Sequence, residues 1–154
     1  MTLRIRPGEI ADAAAVAELV ERAYEGYVEE VGARPAPMDA DYSEAVRDGT
    51  LFVAEDGDGI AGAIVLDLES DHLEIENVAV APARQGDGIG RALLAFAEDH
   101  ARERGVGELR LFTHVVMTRN QRIYGLLGYT EVKRRTDHGF ERIFYSKRLP
   151  TLES

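Results

Sequence analysis

From Val78 to Arg91 the chain reads Val78-Ala79-Val80-Ala81-Pro82-Ala83-Arg84-Gln85-Gly86-Asp87-Gly88-Ile89-Gly90-Arg91. An apolar strand passes through a glycine-rich turn into a helix. Glycines at alternate positions, Gly86, Gly88 and Gly90, open backbone conformations closed to other residues and clear side chains away from the main chain. The helix that follows offers unpaired N–H groups and the positive end of its dipole, a setting suited to a pyrophosphate. Arg84 and Arg91 flank the turn and can add charge-assisted hydrogen bonds. Pro82 cannot donate to a sheet ladder, so it ends the strand. The GxGxG spacing is not the dinucleotide GxGxxG, and no Gly-Lys-Ser/Thr follows as a nucleoside-triphosphate loop requires.

Other residues are candidates for proton transfer. Glu74 and Glu76 lie on the strand leading to Val80 and, without a bulge, face the same side, where either carboxylate could act as a general base. Tyr124 carries a hydroxyl on a short helix downstream. His114 closes a strand and could approach a substrate, whereas His72, His100 and His138 look peripheral. No histidine pair has HxxxH spacing and the chain has no cysteine, so no metal site is expected.

The segment Gln85-Gly86-Asp87-Gly88-Ile89-Gly90 resembles motif A of the GNAT N-acetyltransferase superfamily, Gln/Arg-x-x-Gly-x-Gly/Ala. The segment from Met117 to Val132 is similar to the family's motif B, in which an Asn opens a short helix, a Tyr follows and Gly-Tyr begins a strand. Here these are Asn120, Tyr124 and Gly128-Tyr129, with Asn120 closer to the Tyr than in many members. The resemblance implies an acetyl-coenzyme A donor whose pyrophosphate is held by Gln85, Gly86, Asp87, Gly88, Ile89, Gly90 and Arg91. Its pantetheine arm would lie on the backbone of Val78, Ala79 and Val80, with Asn120 and Tyr124 beside the coenzyme. It further implies direct acetyl transfer in a ternary complex to a primary amine of a small molecule or peptide. Tyr124 would be the general acid near the sulfur, a Val78 or Val80 amide the oxyanion donor, and Glu74 the match to a catalytic glutamate of some members. Phe112 replaces another common base. Two further readings stay open: an acyltransferase with a different acyl-coenzyme A, and a catalytically silent sensor that binds acyl-coenzyme A.

The elements that must position these residues follow from hydrophobic periodicity. Leu3 to Arg6 reads as a strand, and Asp12 starts a helix with an apolar stripe of Ala15, Val16, Leu19, Val20 and Ala23. Gly26 to Asp41 reads as a loop or interrupted helix. Strands at Leu51 to Ala54 and Ile60 to Leu68 are joined by a hairpin signal, Glu55 to Gly59. Then come a strand at Leu73–Val80, a helix from Ile89 to Arg104, a strand at Glu108–His114, a helix from Asn120 to Leu127, and strands at Thr130 to Arg135 and Glu141 to Lys147. This order resembles the GNAT fold over nearly the whole length. The expectation is an α+β, three-layer acyl-CoA N-acyltransferase fold with a mixed, mostly antiparallel sheet of about seven strands flanked by about four helices. A splayed V is expected between the strand at Leu73–Val80 and that at Glu108–His114.

Composition bounds the function. The 154 residues, 45% hydrophobic and 30% charged, suit a single domain spanning residues 1–154. No apolar run is long enough for a membrane span and Met1 to Ile10 has no secretory h-region, so the expected location is cytoplasmic, with no membrane partner. A formal net charge of −10 opposes nucleic-acid binding and makes a cationic amine acceptor easier to accommodate. The acidic residues between Glu21 and Glu44 read as solvated faces. A homodimer is open, since members of the resembled family often pair.

Overall fold

The computed structural model describes residues 2–150. Its strands are β1 (Arg4–Pro7), β2 (Leu51–Asp56), β3 (Gly59–Leu68), β4 (Leu73–Val80), β5 (Glu108–His114), β6 (Thr130–Asp137) and β7 (Phe140–Arg148). They form one sheet in the order β1-β2-β3-β4-β5-β7-β6, antiparallel throughout except for β4 and β5. The helices are α1 (Ala13–Tyr24), α2 (Val28–Val31), α3 (Tyr42–Arg47), α4 (Ile89–Glu103) and α5 (Thr118–Leu126). Among the described residues no helix is long and apolar enough to cross a membrane.

Two cores hold the layers together. On one face Leu93, Leu94 and Ala97 of α4 bury against Ile64, Leu66, Leu73 and Leu109, and Tyr124 of α5 joins them. On the other, Val16, Leu19 and Val20 of α1 pack with Val53, Ala63, Val65 and Ala79. Within α1 the buried stripe includes Ala13, whereas Ala15 is exposed. Gly62 sets how closely α4 approaches the sheet: a Cβ there would lie 3.0 Å from Ile89 Cγ2 and Leu93 Cδ1 and 3.1 Å from the Ala79 carbonyl.

A bulge divides β4. Val65 pairs with Asn77 and Leu66 with Ile75, which leaves Glu76 as the extra residue. The side-chain alternation therefore switches: Leu73 and Ile75 face α4, while beyond the bulge Ala79 faces α1 and Val78 and Val80 turn toward α4.

Beyond its start, β4 also loses its other neighbour. It pairs with β5 only at Leu73–Leu109 and Glu74–Arg110, after which the two strands diverge. This is the expected V. On its far side β5 keeps seven residue pairs with β7. A polar clasp sits at the closed end: Glu108 accepts from Arg110 Nε at 2.8 Å and Ser146 Oγ at 2.7 Å, and Arg110 reaches Asp71 at 3.7 Å.

Several boundaries differ from the periodicity reading for local reasons. The β2–β3 loop shrinks to Gly57-Asp58 because the Asp56 carboxylate accepts the Asp58 N–H at 2.9 Å. β6 and β7 run to a loop of His138-Gly139, both with positive φ (51° and 83°), the geometry of a tight hairpin that is usually signalled by Asn-Gly. α3 was hidden in an uncharacterised stretch; Asp41 caps it by accepting the Glu44 N–H at 3.1 Å. α5 starts at Thr118, so Asn120 lies inside its first turn and does not cap it. The preceding loop is tied down by Gln121, whose Nε2 donates to the carbonyls of His114 (3.3 Å) and Val115 (2.8 Å).

Candidate functional site

The glycine turn is shaped by two left-handed residues, Gly86 (φ 94°) and Gly88 (φ 83°), the second directly before α4. Gly90 has ordinary helical backbone, so conformation does not demand glycine there. Among the described residues no backbone acceptor meets the N–H groups of Gly86, Gly88, Ile89, Gly90 and Arg91. An anion placed before α4 would meet these donors together with the helix dipole. Arg84 is already committed, bonding Asp56 at 2.6 Å and Asp87 at 3.0 Å. Asp87 thus braces the turn through Arg84, and Arg91 is the exposed guanidinium at the cradle. Gln85 accepts from Arg119 of α5 at 2.7 Å, linking the turn to the opposite wall.

From this turn a cavity of about 470 Å³ runs into the V. Val78, Ala79 and Val80 form one wall, and Arg119, Asn120 and Ile123 of α5 another. Because β5 has diverged, the β4 edge facing this space has no strand partner, and its backbone groups are free to bind an extended polar arm. A smaller cavity of about 60 Å³ opens on the other side, between Glu76, Phe112, His114, Phe140, Arg142 and the Pro35–Pro37 loop. Tyr24, Val78, Asn120 and Tyr124 line both cavities and form the throat between them.

Tyr124 is buried, its ring 5.7 Å from Tyr129 and 5.8 Å from Tyr145. Burial pushes its hydroxyl far above the ordinary tyrosine value, so it stays protonated and can act only as a donor of that proton at neutral pH. Asn120 reaches the throat with its Nδ2 3.7 Å from Met117 Sδ.

The bulge separates the two glutamates. Glu76 lines the smaller cavity, and burial together with neighbouring Asp67 raises its carboxyl above the usual range. Glu74 stands at the closed end of the V, 3.5 Å from His72 Nε2, and is raised chiefly by burial. His114 lines the smaller cavity, and burial lowers its pKa. Its Nδ1 accepts the Val116 N–H at 3.2 Å, so the neutral ring presents Nε2–H, a donor and not a base. Among the described residues no group of three or more His, Asp or Glu is arranged to hold a metal ion.

Four residues of the site carry no motif: Tyr24, Asp67, Asn77 and Arg142. Asn77 alone leaves a trace in the sequence, an uncharged polar side chain directly before the apolar run from Val78 to Val80.

Residues 14–129 match the sequence model of the Acetyltransferase (GNAT) family. A streptothricin acetyltransferase of Streptomyces lavendulae is 46% identical over 67 residues, 42% of this chain and 35% of that protein. An IAA acetyltransferase of Azospirillum brasilense is 36% identical over 70 residues, 46% of each. The chain therefore spans less than half the length of either relative. Among solved structures, the PaiA N-acetyltransferase of Thermoplasma acidophilum in complex with coenzyme A superposes with a TM-score of 0.82, covering 96% of this chain and 99% of that one at 18% identity. A nourseothricin acetyltransferase gives 0.75 over 97% and 100% at 26% identity. The splayed sheet, the turn before α4 and a family match over most of its length agree, and the chain belongs to the GNAT acetyltransferase family.

Proposed function

We propose that this chain is a cytoplasmic, single-domain N-acetyltransferase that moves the acetyl group of acetyl-coenzyme A onto a primary amine. The observation that carries the reading is the throat, where a long cavity backed by the glycine turn meets a short one beside Glu76. Gly86, Gly88, Ile89, Gly90 and Arg91 hold the pyrophosphate through their N–H groups, with Gln85 and Asp87 shaping the turn. Val78, Ala79 and Val80 bind the pantetheine arm along the open edge of β4, and Asn120 and Tyr124 close over it.

The amine enters the shorter cavity and must shed a proton before it has a lone pair to offer. Glu76 takes that proton, directly or through water, with Glu74 behind it at the base of the V. The nitrogen attacks the thioester carbonyl and forms the C–N bond, while a Val78 or Val80 N–H receives the developing oxyanion. As the C–S bond breaks, Tyr124 protonates the leaving thiolate, and the second proton, shed by the nitrogen as it becomes an amide, passes through solvent to restore the Tyr124 hydroxyl. The Glu76 carboxylate in the shorter cavity and the acidic net charge favour a cationic acceptor. Likeness to a streptothricin acetyltransferase makes streptothricin the first acceptor to try.

The test is thiol release from acetyl-coenzyme A against a panel of amines that includes streptothricin, with the products identified by mass. Amine-dependent release bears the reading out. Binding of acetyl-coenzyme A without turnover on any amine assigns the chain to sensing, and turnover only with a longer acyl-coenzyme A changes the donor.

A further inference from the structure

A buried hydrogen-bond chain crosses from α1 to the loop that walls the shorter cavity. Tyr24 OH donates to Asn77 Oδ1 at 2.9 Å, Asn77 Nδ2 donates to Tyr42 OH at 3.0 Å, and Tyr42 OH donates to the Pro37 carbonyl at 2.7 Å. Asn77 and Tyr42 are only 8% and 5% exposed. Tyr24 lines both cavities and Asn77 the shorter one, whereas Tyr42 lines neither.

The direction of every bond in this chain is fixed by its last member. A backbone carbonyl can only accept, so the single Tyr42 proton is spent on Pro37. The Tyr42 oxygen must then accept, which requires the NH₂ side of the Asn77 amide. That turns Oδ1 toward Tyr24 and obliges the Tyr24 hydroxyl to point its proton inward. What remains on the Tyr24 oxygen is lone-pair density.

We infer that Asn77 is a positioning residue that holds the Tyr24 hydroxyl as a hydrogen-bond acceptor for an N–H of the incoming amine. This inference rests on the reading of the shorter cavity as the amine site. The two tyrosines of the throat thereby divide the work: Tyr124 has a proton to give, and Tyr24 has one already engaged. Tyr24 orients the amine beside Glu76 and takes no proton itself, so its loss weakens acceptor binding and leaves donor binding alone. The Pro37 loop and the Tyr24 ring are set by the same chain, so the wall of the cavity and the orientation of the amine are specified together.

The test compares wild type with Tyr24→Phe, Asn77→Leu and Tyr42→Phe. For each, acceptor KM and kcat are measured, together with acetyl-coenzyme A affinity and acceptor binding to the coenzyme A complex by calorimetry. Tyr24→Phe keeps the ring and removes the accepting oxygen, so acceptor KM and the calorimetric Kd should rise about tenfold, as for loss of one hydrogen bond to a charged or polar group. Asn77→Leu should reproduce that rise, and adding it to Tyr24→Phe should give no further rise, because both remove one interaction. Tyr42→Phe alters no lining side chain but frees the Pro37 carbonyl, so a raised acceptor KM there reports the hydrogen-bond chain as a whole, through the orientation of Asn77 and the seat of the Pro37 wall together. Acetyl-coenzyme A affinity should hold in all of them. Unchanged acceptor KM in Asn77→Leu and Tyr42→Phe, with wild type active, overturns the inference and leaves the transferase reading intact. A wild-type protein that binds acetyl-coenzyme A and acetylates no amine overturns both.

Discussion

Asp67 of β3, which pairs with Glu74, neighbours Glu76, the bulged residue of β4, and its charge raises the Glu76 carboxyl. A neighbouring negative charge disfavours the ionised form of Glu76, so Asp67 adds to burial in raising its carboxyl. If Glu76 is the base, the acidic limb of kcat/KM lies above the ordinary carboxylate value of 4.5. Asp67→Asn removes the repulsion, so the limb should move to lower pH, whereas Glu76→Gln should abolish it. A pH–rate series on the two variants checks this, and an unmoved limb in both assigns the base elsewhere.

Tyr124→Phe keeps the ring contacts with Tyr129 and Tyr145 and removes only the proton donor. Turnover should fall about 100-fold or more, the usual range for losing a general acid. Acetyl-coenzyme A affinity, measured by calorimetry, should stay at the wild-type value.

Gly62→Ala tests how α4 is seated. The added methyl meets Ile89, Leu93 and a carbonyl at 3.0 to 3.1 Å, and Ile89 opens the helix that carries the cradle amides. Overpacking of this kind costs about 1–3 kcal/mol. Urea unfolding should register that loss, and donor affinity should drop with it because the cradle is displaced.

The clasp at the closed end of the V makes stability pH-dependent. Arg110 and then Ser146 hold the Glu108 carboxyl down at about 2, against 4.5 for a free glutamate. A depressed carboxylate stabilises the fold fully above its unfolded value, and that contribution is lost as pH falls through the folded one. Glu108→Gln should therefore be less stable than wild type at pH 7. In unfolding measured along a pH series, the gap should close between about 4.5 and 2.

Most of the fold was legible because its signals are local. The alternation in β3, the stripe of α4 and the turn from Gln85 to Gly90 are each written in neighbouring residues. The splay between β4 and β5 came through family resemblance, since no residue in either strand announces that pairing stops after Glu74. The bulge at Glu76 was invisible because its cause lies in register with β3, and Glu74 and Glu76 therefore looked equivalent. Tyr24, Asp67, Asn77 and Tyr42 stand on separate elements, far apart in the chain, and only packing brings them together. His138-Gly139 shows the same limit on a small scale, since a hairpin can impose a positive φ on a residue that does not advertise it.

With only Leu73–Leu109 and Glu74–Arg110 pairing them, β1 to β4 and the β5, β7 and β6 strands form two plates held by that short ladder and by the core they share against α4. A ligand lying along the open edge of β4 acts as a splint: it bridges the plates and shields the alternate amides that point into the wedge. Hydrogen exchange at Val78 and Val80 therefore serves as an occupancy gauge, and under the proposed function melting temperature becomes a function of coenzyme concentration.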